Sequence, residues 1–305
     1  MPAASKSDDD PAASLNIPLG VGLRIAAMAC IACLSALVKW CGAHGVPVGE
    51  IVFFRNAFAF VPLGLYISRT SGWTVIKTRR PLGHLARSTV GLMGMVCGFS
   101  AVQRLPLTDA VAFTFLSPVF MTLMAAPILK EHIGLHRWGA VAAGFVGMLV
   151  MIRPNPSAAN LAGTALAIVG ALGAAAAMVA IREISSTERG PTIVFYFTLA
   201  GTVLGLVSLP LGWALPDGRT LAMLVLCGLI GGVGQLLLTE ALRRAPVGVI
   251  APFDYSQLLW ASLIGFVVWG EVPRLATLAG VAIIAASGGY ILYRELRRFK
   301  PGRHT

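Results

Sequence analysis

The sequence predicts an all-α integral membrane protein: ten transmembrane helices arranged as two inverted five-helix repeats, with both termini cytoplasmic. Three observations predict it. The 305 residues are 56% apolar and only 12% charged, with a mean hydropathy of +0.79, far outside the range of soluble domains. Ten apolar runs recur along the chain; at about 20 residues per span they leave roughly 105 positions for tails and connections, too few for a sizeable soluble domain. The second half of the chain also matches the first at a fixed offset.

Residues 1–18 are polar, include Asp8, Asp9 and Asp10, and lack the basic region, short apolar core and cleavage site of a signal peptide, so they read as a solvated cytoplasmic tail. The apolar runs follow at about 20–40, 48–68, 83–103, 107–129, 134–152, 161–181, 191–211, 221–242, 248–269 and 275–293. Windows free of formal charge, such as 138–152 and 220–239, favour helices, which satisfy their own backbone groups in hydrocarbon. The alternating ten-residue segments of a barrel are absent. Trp40, Tyr66, Trp138, Trp213, Trp269, Tyr290 and Tyr293 stand near run ends, where amphipathic rings anchor helices at the interface. Gly94 with Gly98, Gly201 with Gly205, and Gly228 with Gly232 are GxxxG pairs that let helices approach closely. Pro62, Pro118, Pro127, Pro210 and Pro252 are candidate kinks; Pro118 and Pro252, most nearly level with the expected cavity, are the candidate hinges. A basic tail, 295–305, closes the sequence.

The net charge of +11, from 24 Lys and Arg against 13 Asp and Glu, would suggest nucleic acid in a soluble protein. In a multispanning chain it reflects the retention of basic residues on the cytoplasmic side, so no nucleic-acid partner is inferred. Counting Arg24 with the N-terminal side and Arg87 with the 2–3 connection, 18 of the 24 fall on the side of the two termini. The other side holds Lys39, Arg104, Arg153, Arg219 and Arg274, and Arg55 is left inside the membrane. This asymmetry places both termini in the cytoplasm and the chain in the cytoplasmic (inner) membrane as a multi-pass protein. The five Cys lie in or at the ends of apolar runs and read as reduced packing residues.

Offset by 140 residues, 101-AVQRLPLTDAVAF aligns with 241-ALRRAPVGVIAPF, with eight identities between 88 and 131, among them Arg104/Arg244, Pro106/Pro246 and Glu131/Glu271. At an offset of 142, 51-IVFF aligns with 193-IVFY. A repeat of five spans is odd, so the second copy enters the membrane from the opposite side. Such inverted repeats let one half rock against the other around a midplane site. The domains are therefore read as residues 19–153 and 161–294.

Those segments, RLPLTDAVAFTFLSPVF running through PILKEHIGLHRWGAVAAGFVGMLVMIRP and the partner ending WGEVPRLATLAGVAIIAASGGYILYR, resemble the two EamA repeats of the drug/metabolite transporter superfamily. The stretches EIVFFRNAFAF and RSTVGLMGMVCGFSAVQRLPLTDA look closest to the branch that includes S-adenosylmethionine and riboflavin transporters. The resemblance implies a ten-helix secondary transporter with a central cavity. Leu258 stands where the first repeat has Pro118, so the mid-helix break is not expected to be symmetric.

Charges inside hydrocarbon are costly and face a cavity, a partner or a pathway. Arg55 lies roughly 10 Å into helix 2 and Asp254 roughly 9 Å into helix 9 at 1.5 Å per residue, suited to opposite ends of a bound metabolite. Their repeat mates, Phe197 and Thr114, are neutral. In the functional reading Arg55 holds an anionic or carbonyl group and Asp254 a cationic group or a coupling proton, because desolvation favours the protonated form of a carboxyl group. In the structural reading each is neutralised by a partner such as Glu50 or Lys39. Those two sit near outer helix ends, where snorkelling would keep them wet, and Glu50 is a second coupling candidate. Tyr255, Gln257 and Trp260 follow Asp254, and with Phe113, Phe115 and Gln235 they complete the candidate substrate-binding set; an aromatic wall with one carboxylate and one amide suits a planar or cationic metabolite.

Other chemistries are not supported. Cys30-x-x-Cys33 lies within an apolar run with no second pair, and His132 with His136 lack a third ligand and the H-E-x-x-H order. No metal site, cofactor or Walker A motif is inferred, and no nucleophile stands with a base, so an enzyme is not expected. The expected function is secondary active transport of a small polar or amphipathic metabolite, such as S-adenosylmethionine, riboflavin or an amino acid, by alternating access. An exporter of amino acids or drugs and a uniport exchanger are the alternatives. A membrane-embedded enzyme and a non-transporting sensor are remoter ones. The inferred partners are the lipid bilayer, the small-molecule substrate and a coupling proton; oligomeric state is open.

Overall fold

In the computed structural model, residues 16–70, 72–129, 135–152, 158–185, 187–214, 216–245 and 250–298 are described. They are helical, with no strand among them. The helices are α1 (Ile17–Ala43), α2 (Val48–Ala57), α3 (Phe60–Thr70), α4 (Pro81–Arg104), α5 (Leu107–Thr114), α6 (Ser117–Leu129), α7 (Leu135–Ile152), α8 (Ala158–Ile184), α9 (Gly190–Val207), α10 (Gly218–Arg244), α11 (Ser256–Trp269) and α12 (Leu275–Arg298). Among the described residues, six helical stretches are long and apolar enough to cross a membrane: Ile17–Ala43, Val48–Thr70, Pro81–Arg104, Leu161–Ile184, Gly190–Val207 and Gly218–Ala241. Shorter apolar helices cover Leu107–Met121, Val141–Val150 and Leu275–Ser287. Most of the expected N-terminal tail, the end of the C-terminal one, Glu131, His132 and Pro246 lie outside the described residues.

Local chemistry sets the ends. The Asn16 side chain accepts from the Leu19 amide at 3.1 Å and Asp217 accepts from Thr220 at 2.9 Å, each satisfying a first-turn donor. Gly270, at φ +67°, closes α11 in the left-handed conformation that glycine adopts without a Cβ clash.

Two of the expected continuous helices are broken, and proline explains where. A proline ring clashes with the carbonyl four residues earlier, which for Pro62 is Phe58 and for Pro118 is Thr114. Accordingly α2 ends at Ala57 before α3 begins, and α5 ends at Thr114 before α6 begins. At the second break the Phe115 and Leu116 amides turn to the Ala112 and Phe113 carbonyls, at 3.2 and 3.1 Å. Pro252 lies in a 3₁₀ turn, Ala251–Tyr255, that leads into an unbroken α11, so the breaks differ as the Leu258 departure suggested.

Helices from the two parts of the chain pack pairwise: α1 on α10, α4 on α8, α2 on α9 and α7 on α12. The glycine pairs lie at these contacts and at that of α10 with α2 and α3. A Cβ on Gly94 would stand 2.9 Å from the Ala174 nitrogen, and one on Gly173 2.6 Å from the Gly94 Cα, so α4 and α8 touch backbone to backbone. Gly201 and Gly205 face Asn56 and Phe53 of α2, and Gly228 and Gly232 face Phe58, Ala59 and Pro62. The interior is apolar, with Val38, Ile51, Leu107, Val111 and Leu224 buried, while Leu85, Leu149, Leu259, Phe266 and Val267 are exposed on the outside. An outward apolar surface is what lipid contact requires.

At one end of the bundle the connection before α4 is tied to the one before α9. The Glu188 carboxylate accepts from the Arg79 amide at 2.9 Å and from Thr78 Oγ1 at 3.0 Å, with His84 Nε2 3.5 Å away. Burial alone would push this carboxyl up, but the hydrogen bonds from Arg79 and Thr78, with the nearby His84 ring, outweigh it and hold the group below its ordinary value. Its folded pKa is thus lower than its unfolded one. The resulting stability is present above the unfolded value of about 4.3 and is lost as pH falls through the folded value.

Two outcomes are expected from thermal unfolding of the detergent-purified protein. Gly94→Ala lowers stability by about 1–3 kcal/mol through overpacking, whereas Gly98→Ala, whose Cβ would meet nothing within 4 Å, changes it little. Glu188→Gln flattens the fall in unfolding temperature between about pH 5 and 3; an unchanged pH profile would show that the carboxylate is no more stabilised than in the unfolded chain.

Candidate functional site

The ionisable side chains within the helices sort into two kinds, those with a partner of opposite charge and those without. Arg24 and Lys39, both on α1, belong to the first kind. Arg24 forms a two-point ion pair with Asp254, its Nη2 donating to Oδ2 at 2.6 Å while Nε donates to Oδ1. Lys39 donates to Glu271 Oε1 and, at 3.0 Å, to the Leu105 carbonyl. The other Glu271 oxygen accepts from the Leu107 amide at 2.7 Å, so one carboxylate caps α5 and binds α1 together. Lys39 and Arg24 stand 15 residues apart, roughly 22 Å along a helix.

Asp254 is therefore paired, with Arg24 in place of the Lys39 that the sequence offered as its partner. Its partner escaped the sequence analysis because Arg24 was counted with the N-terminal tail; it lies seven residues inside α1, roughly 10 Å from its start. Glu50 also departs from expectation. It is fully buried instead of wet, and its Oε2 accepts from the Ala214 amide at 3.0 Å while Oε1 has no partner. Lys39 is mostly buried and salt-bridged, not snorkelled.

Arg55 is of the second kind. It lies on α2, 7% exposed, with Nη1 donating to Asn56 Oδ1 at 2.8 Å. Glu50 forms no ion pair with it, and Arg87 on α4 is equally buried, at 7% exposed. The two guanidinium groups share the Phe197 ring of α9, with carbons 5.7 and 3.8 Å from its centroid. Together they line a cavity with Thr198 and Gln235, closed by Ala59, Leu63, Val194, Gly232 and Leu236. The space between atoms there is about 340 Å³, but it is so narrow that it has room for about one water, not a metabolite.

The structure thus divides the sequence-predicted set. Arg55 and Gln235 line the cavity. Phe113, Phe115, Tyr255 and Trp260 belong instead to the main apolar cluster, where the Phe115 and Tyr255 rings lie 4.9 Å apart. Gln257 is buried nearby on α11, and Ser256 Oγ and Trp260 Nε1 are buried without hydrogen-bond partners. Of the candidate hinges, Pro118 follows the α5–α6 break and Pro252 lies in the 3₁₀ turn before α11. Sequence reasoning missed Arg87, Phe197 and Thr198. Arg87, six residues into α4, was counted as part of a connection, although the depth argument applied to Arg55 would have singled it out. Among the described residues no group of three His, Cys, Asp or Glu is placed to hold a metal ion.

Comparison with known proteins gives this geometry a context. The family model described as the EamA-like transporter family matches residues 18–153 and again 161–293. A riboflavin transporter of Rhizobium johnstonii is 30% identical over 83% of this chain and 83% of its own. The pseudopaline exporter CntI of Pseudomonas aeruginosa is 30% identical over 88% of this chain and 94% of its own. An S-adenosylmethionine uptake transporter of Rickettsia felis is 25% identical over 90% and 93%. A solved crystal structure, 18% identical, superposes with a TM-score of 0.65 over 93% of this chain and all of that one, a likeness of fold alone. A family match that spans nearly the whole chain in two consecutive segments, supported by relatives aligned along most of their length, makes this multi-pass membrane protein a member of the EamA-like transporter family.

Proposed function

We propose that the chain is a secondary transporter that moves a small polar metabolite across the cytoplasmic membrane by alternating access, with residues 19–153 and 161–294 as inverted halves and both termini cytoplasmic. The observation that carries this reading is the pair of ion pairs, Arg24–Asp254 and Lys39–Glu271, which tie opposite ends of α1 in one half to the 3₁₀ turn before α11 and to the connection after it in the other. Roughly 22 Å of a 30 Å hydrocarbon layer separates them. Opening toward either side would break one pair and keep the other, so they serve as alternating gates, and the narrow cavity suits a closed state between openings.

The packing pattern supports the inverted halves. The contact of α1 with α10 is the repeat mate of the contact of α8 with α4, while α2 with α9 and α7 with α12 join mates directly. Gly20 abuts Ala245, and Gly163 abuts Leu105, the same contact within a residue or so after the repeat offset. Arg55 and Phe197 are themselves 142 residues apart, so mates that meet mark the pseudo-axis, and the cavity lies there. Removing Arg24 and Arg87 from the charge count leaves 16 basic residues against five, which still favours cytoplasmic termini.

The cargo named for the relatives spans S-adenosylmethionine, riboflavin and pseudopaline, moved inward in one case and outward in another. The first two are the leading candidates here, with amino acids. Asp254 and Glu50 remain the coupling candidates: a proton on Asp254 would remove the charge that holds Arg24, which ties protonation to the opening of that gate.

In vesicles carrying the purified protein and an imposed proton gradient, at least one of S-adenosylmethionine, riboflavin and the amino acids is expected to accumulate. Absence of both accumulation and exchange across the panel would count against secondary transport of these classes. Arg24→Ala and Asp254→Ala each reduce transport at least about tenfold, since breaking the pair leaves a charge stranded at about 2 kcal/mol, below the ~3–5 of a fully buried pair because Asp254 retains some solvent contact. The double exchange Arg24→Asp with Asp254→Arg restores part of it; no restoration would mean the residues act separately.

A further inference from the structure

We propose that the cavity is an oxyanion site in which Arg55 and Arg87 together hold the carboxylate or phosphate group of the transported metabolite, an assignment that rests on the transporter reading above. Both residues are more than nine-tenths buried, and Nε of Arg55 with Nε and Nη1 of Arg87 are buried without a hydrogen-bond partner. Among the described residues no carboxylate stands within ion-pair distance of either. A buried donor attached to a charge is expensive to leave unmade, and two like charges brought together add repulsion. The same fold neutralises Arg24 and Lys39 with dedicated carboxylates. The two buried guanidinium groups left unpaired, Arg55 and Arg87, both line this cavity.

The rest of the lining points to the same ligand. Phe197 offers its negative face to both cations, an attraction that leaves the in-plane N–H groups free to donate. Thr198 and Gln235 supply a hydroxyl and an amide, and no acidic side chain lines the cavity. A cationic headgroup would therefore meet only repulsion, and an uncharged one would leave both guanidinium groups unanswered, so of the cargoes proposed above the site fits the carboxylate of S-adenosylmethionine or an amino acid and not the uncharged riboflavin. An oxyanion accepts from several N–H donors at once and cancels the charge, in the manner that makes Arg the preferred partner of carboxylate and phosphate. With room for about one water now, the site holds the headgroup only after its walls separate, which couples arrival of the anion to rearrangement around it.

The test is thermal unfolding of the full chain in detergent with inorganic phosphate, succinate or the neutral succinamide at matched ionic strength, for the wild type, Arg55→Gln, Arg87→Gln and Arg87→Lys. Phosphate or succinate is expected to raise the wild-type Tm by about 2 °C or more at concentrations well above Kd, and succinamide to leave it unchanged. The larger of the two shifts identifies the headgroup. Both Gln variants lose the rise, and without anion they unfold at or above the wild-type temperature because each removes an uncompensated charge. Arg87→Lys, which keeps charge but not the planar fork, retains part of the rise. No anion-dependent rise in the wild type, a rise that survives in both Gln variants, or Gln variants that unfold several degrees early without anion would overturn the proposal. No transport is measured here, so an absent anion effect alongside accumulation in vesicles sinks the oxyanion site alone, whereas anion binding without any transport sinks the transporter reading.

Discussion

The constraint on which the rest of the structure depends is that a charge inside a hydrocarbon layer must be answered by something other than water. An unpaired ion there costs several kcal/mol even on the mildest scales, a large fraction of what holds any fold together. This chain meets the constraint with α1. Its two cations reach across to Asp254 and Glu271, and the second of these carboxylates also completes the first turn of α5. Charge pairing, helix capping and the joining of distant parts of the sequence are thus one arrangement. Where the same constraint is left unmet, at Arg55 and Arg87, the vacancy coincides with the cavity.

Close helix packing makes those pairings possible. Two charged side chains meet across helices only if the backbones are held at a fixed separation, and the glycines of α4, α8, α9 and α10 fix it by admitting neighbouring atoms where a Cβ would stand. The α4–α8 contact sets the position of Arg87. The α2–α9 contact, where Gly201 and Gly205 face Asn56 and Phe53, sets those of Arg55 and Phe197. Side chains that carry chemistry occupy the residual space that this small-residue packing leaves.

Much of this was legible in the sequence because membrane insertion imposes a coarse rule that composition obeys. Each apolar run overlaps a helix, and the GxxxG pairs fall at helix contacts. Arg55 stood out because it interrupts an apolar run. Arg87 and Arg24 did not, because both lie within the first two turns of their helices, where a loop charge and an intramembrane charge look alike in one dimension and a shift of a few residues decides between them. The pairing of Asp254 with Arg24 was illegible for a different reason: residues 230 positions apart carry no local signal of their encounter. Phe197 was seen only as a neutral repeat mate of Arg55, since an offset between positions does not disclose that they touch. The helix breaks sat ahead of Pro62 and Pro118 because proline acts on the carbonyl behind it.

The Glu271 contact also bears on how the protein comes to be made. Lys39 and the Leu107 amide emerge from the ribosome long before the carboxylate that satisfies them, the latter 164 residues earlier. At about 5–20 residues per second that interval is about 10–30 s. During it the first turn of α5 lacks its cap and Lys39 has only the Leu105 carbonyl to bond. Completion of that contact therefore waits for the α11–α12 connection, the last between helices, and a pause in translation ahead of residue 271 would leave α1 and α5 without the carboxylate that joins them.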